Sequence, residues 1–475
     1  MLTLALILIP LLATMAIFAT GSANARKIAL GATALNIAVA ISVIASCSCS
    51  NAFHLTVLDN PNINLALDVH ANGGISVILL ILSVVVSLAA VLSGNCPKSR
   101  EALWYGSILM ISAGAIGAFI SKDLFFFFAF HELALIPTFL MIGLLGRGDR
   151  KETAWKITIY LAFGSIVLLA GLMMAANQLG TFDMTQLKPL DKLQNEVALL
   201  LIIGFGALVS LFPFHSWAAP AYASAPAPVS MLHAGVLKKF GLYGLIVVGY
   251  KVAPDGMAHW LPLLLVLLLC NIIWVGLVTI NQKRIDLMLG NSSVMHMGYI
   301  FLAIAALVDN GSSFATEAAV LLMFAHGISI AMSFSLADRI ESKTGTLELN
   351  QLGGLAKNTP NLAFLFGLVG MASIGLPGLA NFAGEIMVFF SGFEDWKPSD
   401  GFGPLQITTT IAIWGVVISA VYMLRAFRNI FQGETVRRTE KVKPLNRDEK
   451  IPAIMLGVIL LVVGIYPNAI LQFFN

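Results

Sequence analysis

LFPFHSWAAPAYASAPAPVSMLHAGVLKKFGLYG, residues 211–244, decides how this chain is read. Pro213, Pro220, Pro226 and Pro228 precede an apolar stretch that holds His233 and the adjacent Lys238 and Lys239. Each proline removes a backbone donor and frees a carbonyl. Freed carbonyls are tolerated at membrane depth only where protein or a wet cavity satisfies them. A charge at the bilayer centre costs roughly 2.5–3.5 kcal/mol, so charges kept there mark ion or proton pathways. A broken membrane helix followed by one carrying proton-handling groups fits both features. GLPGLANF, residues 375–382, supplies a second break around Pro377. Two broken helices in the two halves of a chain point to an inverted-repeat transporter with its polar path at mid-membrane. A pair of ordinary proline kinks is the plainer alternative.

Composition agrees. Of 475 residues, 58% are hydrophobic and 11% charged, against about half and a quarter in a soluble domain. That excludes a water-soluble globule, a disordered chain, a disulfide scaffold and a nucleic-acid binder. Apolar runs of about 20 residues cross the bilayer core. Fourteen fall near 2–20, 28–46, 74–94, 103–120, 123–145, 155–176, 196–214, 225–250, 259–280, 288–307, 314–337, 362–391, 405–430 and 452–473. The first is read as a retained helix although Ala23-Asn24-Ala25 imitates a signal-cleavage site, because it lacks a basic leader and thirteen runs follow. Twenty lysines and arginines lie in loops after odd-numbered runs and five after even-numbered ones. The positive-inside rule then puts the odd loops in the cytoplasm and both termini on the outer side. The expected fold is all-α and polytopic, with two discontinuous helices. Its expected divisions are 1–120 (helices 1–4), 121–250 (helices 5–8, first repeat half), 251–430 (helices 9–13, second half) and 431–475 (a cytoplasmic loop and helix 14).

The cysteines carry no metal or redox spacing: Cys47 and Cys49 are two apart, Cys96 lies in a loop and Cys270 in an apolar run. No GxGxxG after a strand and no Walker loop is present. Cofactor and metal sites are therefore not expected in this chain.

Six ionisable residues within the runs form the candidate path: Glu132, Lys238, Lys239, His296, His326 and Glu385, with His233 beside them. A buried lysine loses its charge readily, and a nearby carboxylate restores it. Moving that influence toggles the lysine between holding and releasing a proton, and histidines relay near neutral pH. Successive helical residues point about 100° apart, so Lys238 and Lys239 cannot both face one axis. Lys239 is assigned to the path and Lys238 to an interface. Lys156 is read as either snorkelling or belonging to the path, and Lys122 and Asp123 as anchors at a helix start.

HELALIP (131–137), FPFHSW (212–217), SAPAPVSMLHAGVLKKFGLYG (224–244), SSVMHMGYI (292–300), AHGISIAMSF (325–334), TGTLELNQLGGL (344–355), LPGLANFAGE (376–385), VYMLRAFRNIFQG (421–433) and GIYPNAIL (464–471) resemble, in order, blocks of one family. It is the antiporter-like membrane subunits of respiratory complex I, of the proton-conducting membrane transporter type, and the subunit M branch is most similar. The resemblance runs from about residue 74 to the end. It implies a proton-translocating subunit of an NADH–quinone oxidoreductase, working as a non-redox part of a translocase. NADH, FMN, iron–sulfur clusters and quinone would sit on partner subunits. The chain would pack beside related antiporter-like subunits in a bacterial plasma membrane or equivalent energy-conserving membrane. By position, Glu132 is the family's fifth-helix carboxylate, Lys239 its central lysine, Glu385 its outlet residue, and His296 and His326 its relays; Lys238 is an extra lysine, and His233 stands where some relatives carry histidine. A cation/proton antiporter complex, a membrane-bound hydrogenase and a non-pumping structural relative share the fold and remain alternatives.

Three blocks depart from the pattern. The lysine expected opposite Glu132 is Leu208. QKRIDLM, residues 282–288, exchanges an acid and a base at Arg284 and Asp286, and Asn72-Gly73-Gly74-Ile75-Ser76 stands where D-G-x-S is usual. Either His131, beside Glu132, or Lys122 replaces the missing cation, or the inlet half of the chain is inactive and protons use another route.

Overall fold

The computed structural model describes residues 1–46, 52–60, 63–71, 73–97 and 99–474. Cys47, Cys49, Asn72 and Lys98 lie outside the described residues.

The apolar runs become helices. They are α1 (Leu2–Thr20), α2 (Ala25–Ala45), α3 (Gly74–Leu92), α4 (Glu101–Ile120), α5 (Leu124–Leu145), α6 (Arg150–Leu179), α7 (Gln194–Val209), α8 (Ala218–Ser224), α9 (Ala227–Val252), α10 (Leu261–Ile280), α11 (Ile285–Asn310), α12 (Ser313–Thr344), α13 (Pro360–Ile374), α14 (Ala380–Ser391), α15 (Pro404–Phe431) and α16 (Arg447–Ile465). Eleven of these are long and apolar enough to cross a membrane; α16 with its bent continuation makes a twelfth. The chain is a multi-span membrane protein. α4, α9, α11 and α12 are the most enclosed, about nine-tenths or more buried within the protein, whereas α5, α6 and α15 turn about three-fifths outward.

Two expectations change. The chain is not wholly α-helical: β1 (Phe53–Asn60) and β2 (Ile63–Val69) pair antiparallel between α2 and α3. Asp123 ties this hairpin to the bundle. Its Oδ2 accepts from Ala66 N at 3.2 Å, while Oδ1 caps α5 through Phe125 N and Phe126 N. The anchoring role expected of Asp123 is that of an N-cap. The last apolar run is also not one helix to residue 473. After Ile465 the chain turns by 92° at Tyr466-Pro467 and ends in a short helical piece, Asn468–Phe474, since proline cannot continue the α16 ladder.

Both proline- or glycine-rich stretches interrupt helices. α7 stops at Val209, and Ser210 takes a left-handed conformation at φ 73°. Buried Asn271 of α10 satisfies the freed groups: it accepts from Phe212 N at 2.7 Å and donates to Ser210 O and Val294 O, both at 3.1 Å. Replacing it with leucine keeps the volume but strands these groups, at about 1–3 kcal/mol each. We expect Asn271→Leu to lower the thermal-inactivation midpoint of the assembled protein; an unchanged midpoint contradicts this account of the break. The second interruption separates α13 from α14, with Gly375 left-handed at φ 79° and Leu376 N returning to Met371 O at 3.0 Å, the close of a helix at a C-terminal glycine.

Connections that follow odd-numbered runs meet one another. Arg147 N bonds Ser224 O at 2.7 Å, the backbones of Arg284 and Glu348 form an antiparallel bridge, and Arg425 reaches Gln282 O at 2.6 Å. Even-numbered ones also meet, as in the Asp123–Asp183 bridge and the Gln194–Asp255 contact.

Candidate proton path

Lys238 and Lys239 sit just after a π-helical turn, His233–Leu237, in which Lys238 N bonds His233 O five residues back at 3.1 Å. Such turns widen a helix locally and occur often at functional sites. Both lysines are buried, at 1% and 0% exposed, and they diverge. Lys239 Nζ donates to Ala234 O at 2.7 Å and lies 3.0 Å from His326 Nδ1 on α12. Lys238 Nζ turns toward Ser293 Oγ of α11 at 3.5 Å and over the rings of Tyr222 and Trp217. The interface expected for Lys238 is the one with α11 and the start of α8.

The Lys239 side continues through the bundle. When Nδ1 of His326 accepts from Lys239, its proton is on Nε2, which is buried with no partner among the described residues. The His326 and His296 ring centroids are 5.7 Å apart. His296 Nε2 is 3.8 Å from Glu385 Oε1 and 3.0 Å from Ser373 O, and Nδ1 is 2.8 Å from Ser292 O. A neutral imidazole donates from one nitrogen only, so both carbonyls are served only while His296 carries two protons. The two carbonyls leave room for a second proton on the ring, beside Glu385.

On the other side of Lys239, the neighbouring Phe240 stacks on His131, with centroids 4.0 Å apart. His131 Nδ1 is 3.4 Å from Glu132 Oε1. Ser165 Oγ of α6 donates to the same oxygen at 2.6 Å. Glu132 is 36% exposed on the outward face of α5, whereas His131 is 3% exposed. Four of the eight candidates thus form one file, Lys239, His326, His296 and Glu385, and Glu132 with His131 forms a second cluster that touches the same helix through Phe240. His233 and Lys238 form a branch, with His233 Nδ1 3.2 Å from Tyr222 Oη.

The missing cation is explained locally. Leu208 is buried and packs against Gly164, next to Ser165. His131 is the basic group in reach of Glu132. Lys122 is not: it precedes α5 by two residues, about 15 Å along the axis from Glu132, and its Nζ bonds Ser76 Oγ at 3.1 Å. Arg284 and Asp286 pair with each other at 2.7 and 3.1 Å, so the exchanged charges cancel locally. Lys156 is part-exposed in the second turn of α6, where a snorkelling lysine belongs. Sequence reasoning missed Ser165 and Tyr222, single hydroxyls with no pattern around them, and Ser373, which contributes only its carbonyl. Among the described residues, no three His, Cys, Asp or Glu side chains are placed to hold a metal ion.

Residues 121–398, which contain the whole file, match the family described as NADH:quinone oxidoreductase/Mrp antiporter, TM. The chain belongs to this family. NAD(P)H-quinone oxidoreductase chain 4 of Microcystis aeruginosa is 37% identical over 380 residues, 79% of this chain and 68% of that protein. The chloroplastic chain 4 of Chlorokybus atmophyticus is 34% identical over 411 residues, 85% and 79% of the two chains. Among solved structures, a chain of respiratory complex I from Thermus thermophilus superposes with a TM-score of 0.86 at 24% identity, covering 100% of both chains. A chain of the Mrp complex from Dietzia sp. gives 0.84 at 20% identity, covering 99% of this chain and 95% of that one. The shared fold therefore extends over assemblies with different partners, while the sequence relatives named chain 4 agree with the subunit M resemblance.

Leu208→Lys tests the local reading. A lysine there enters beside Ser165 and competes with His131 for the Glu132 carboxylate. We expect the pH dependence of proton transfer, its yield, or both to change. If neither moves, position 208 does not tune Glu132.

Proposed function

We propose that this chain is a proton-translocating membrane subunit of a complex I-type NADH–quinone oxidoreductase. Electron transfer and quinone reduction occur on partner subunits, and this chain turns the resulting electrostatic change into proton movement. The observation that carries the reading is the buried file from Lys239 through His326 and His296 to Glu385. Relatives named NAD(P)H-quinone oxidoreductase chain 4 supply its setting.

In this mechanism Lys239 is the central store. An ammonium there gives its proton to His326 Nδ1, and His326 releases the other from Nε2. His296 receives a second proton beside Glu385, whose carboxylate stabilises the imidazolium by opposite charge. Glu132 and His131 act on the store from the opposite side. Because Phe240 separates His131 from Lys239, this influence is carried by charge, not by a hydrogen-bonded handover.

α7 with α8, and α13 with α14, are each one discontinuous crossing, which gives fourteen crossings. The two broken ones belong to the halves 121–250 and 251–430, related as inverted repeats, with helices 1–4 in 1–120 and the last loop and helix in 431–475. The grouping of odd loops with odd and even with even supports this count, and the charge bias supports odd loops in the cytoplasm and both termini outside. Related antiporter-like subunits cover the outward face of α5, where Glu132 is partly exposed. Co-purification tests the assignment: a tag on this chain should bring down a quinone-reducing assembly, and recovery with a cation antiporter or hydrogenase would overturn it.

A further inference from the structure

The end of α13 meets both partners of the last step in the file. Ser373 O is the carbonyl that His296 Nε2 reaches at 3.0 Å. Two residues on, Gly375 closes the helix, and the Glu385 carboxylate takes the space that its missing side chain leaves. A methyl group placed on Gly375 would overlap Glu385 Oε2 and stand 3.9 Å from Oε1. Oε1 is the oxygen 3.8 Å from His296 Nε2. The buried carboxylate is thus held between an imidazole on one side and bare backbone on the other.

Backbone conformation does not by itself account for a glycine here. α7 ends in the same way. Ser210 holds φ 73° and ψ 43°, and its N–H returns to Ala207 O and Gly206 O; Gly375 holds φ 79° and ψ 44°, and its N–H returns to Ala372 O and Met371 O. Left-handed backbone disfavours a Cβ, yet the first break accepts a serine at this point. What sets the second break apart is the carboxylate that faces it. Gly378 gives the contrast within the same link. It too is left-handed, at φ 92°, but a methyl group there meets nothing within 4 Å. Gly378 lines an apolar cavity of about 630 Å³ between α13, α15 and α16.

We propose that Gly375 is a positioning residue, whose missing side chain lets the Glu385 carboxylate lodge against the second break and so fixes its separation from His296. The proposal rests on the proton-conducting role above. It gives the second break a task beyond freeing carbonyls, that of placing the acid at the end of the file. The end of a glutamate side chain moves more easily than a packed helix, so an added methyl group displaces the carboxylate and leaves the bundle in place. Misplacing a reacting group by about 1 Å can cost on the order of a hundredfold in rate.

Gly375→Ala and Gly378→Ala, compared in the assembled complex reconstituted in vesicles, test this. Each puts an alanine in left-handed backbone within one link, so the backbone strain is common to both, and only Gly375→Ala meets Glu385. The readouts are protons moved per electron and the pH profile of coupled turnover, which strain alone does not displace. We expect Gly375→Ala to lose coupled turnover several-fold and to shift the pH optimum, and Gly378→Ala to leave both unchanged. Equal effects of the two variants overturn the proposal. A Gly375→Ala complex that is missing from a native gel while Gly378→Ala assembles makes the position structural and overturns it too. Glu385→Gln is measured alongside. If it loses proton yield while Gly375→Ala keeps both yield and pH optimum, the positioning role alone is wrong. If Glu385→Gln also keeps full yield, the proton-conducting reading of this file fails as well.

Discussion

Lys239→Ala should cut coupled turnover by roughly a hundredfold or more, the lower end of what one positioned proton-transfer group contributes, whereas Lys238→Ala should cost much less. Lys239 Nζ is the atom that touches both the π-turn carbonyl of Ala234 and the relay nitrogen of His326. Alanine removes the store and leaves His326 Nδ1 facing an apolar gap. Lys238 contacts Ser293 only at 3.5 Å and otherwise lies over aromatic rings. Steady-state turnover and protons per electron in reconstituted vesicles measure the ranking. The reverse order would mean that the path runs through Lys238 and Ser293.

Glu132→Gln should abolish or strongly impair proton pumping while the complex still assembles. Glutamine keeps the size and can still accept from Ser165 Oγ, so the packing of α5 on α6 survives. It removes the charge that His131 faces at 3.4 Å. With no lysine at position 208, His131 is left without a counter-charge and cannot signal to Lys239 across Phe240. The variant is checked by the intensity of the assembled complex on a native gel and by proton yield. Wild-type yield would remove Glu132 from the mechanism; a missing complex would make its role structural.

Much of this was legible in the sequence, for physical reasons. The apolar runs had to be covered by lipid or protein, so their positions survive as helices. Their ends drift: α6 starts at Arg150 and α12 runs to Thr344, because a helix can continue past the hydrocarbon once its charged residues reach water. The hairpin at Phe53–Val69 was missed since it lies outside the bilayer, where a membrane-length window carries no signal. The buried charges announced themselves by their cost, and all eight candidates lie in the bundle. What the sequence could not supply was direction. Spacing told Lys238 and Lys239 apart by about 100° but not that both point inward. Nor could it reveal Asn271 as the partner of a broken helix 59 residues away, or the Glu385 carboxylate in the space beside Gly375. Those depend on which faces meet.

The most direct test of the central claim is the number of protons moved per electron by the assembly captured through this chain, reconstituted in vesicles and driven by NADH and quinone. The account predicts proton movement tied to quinone reduction, and a lower ratio when Lys239 is replaced by alanine. An assembly that reduces quinone with the same proton ratio in both forms would contradict it.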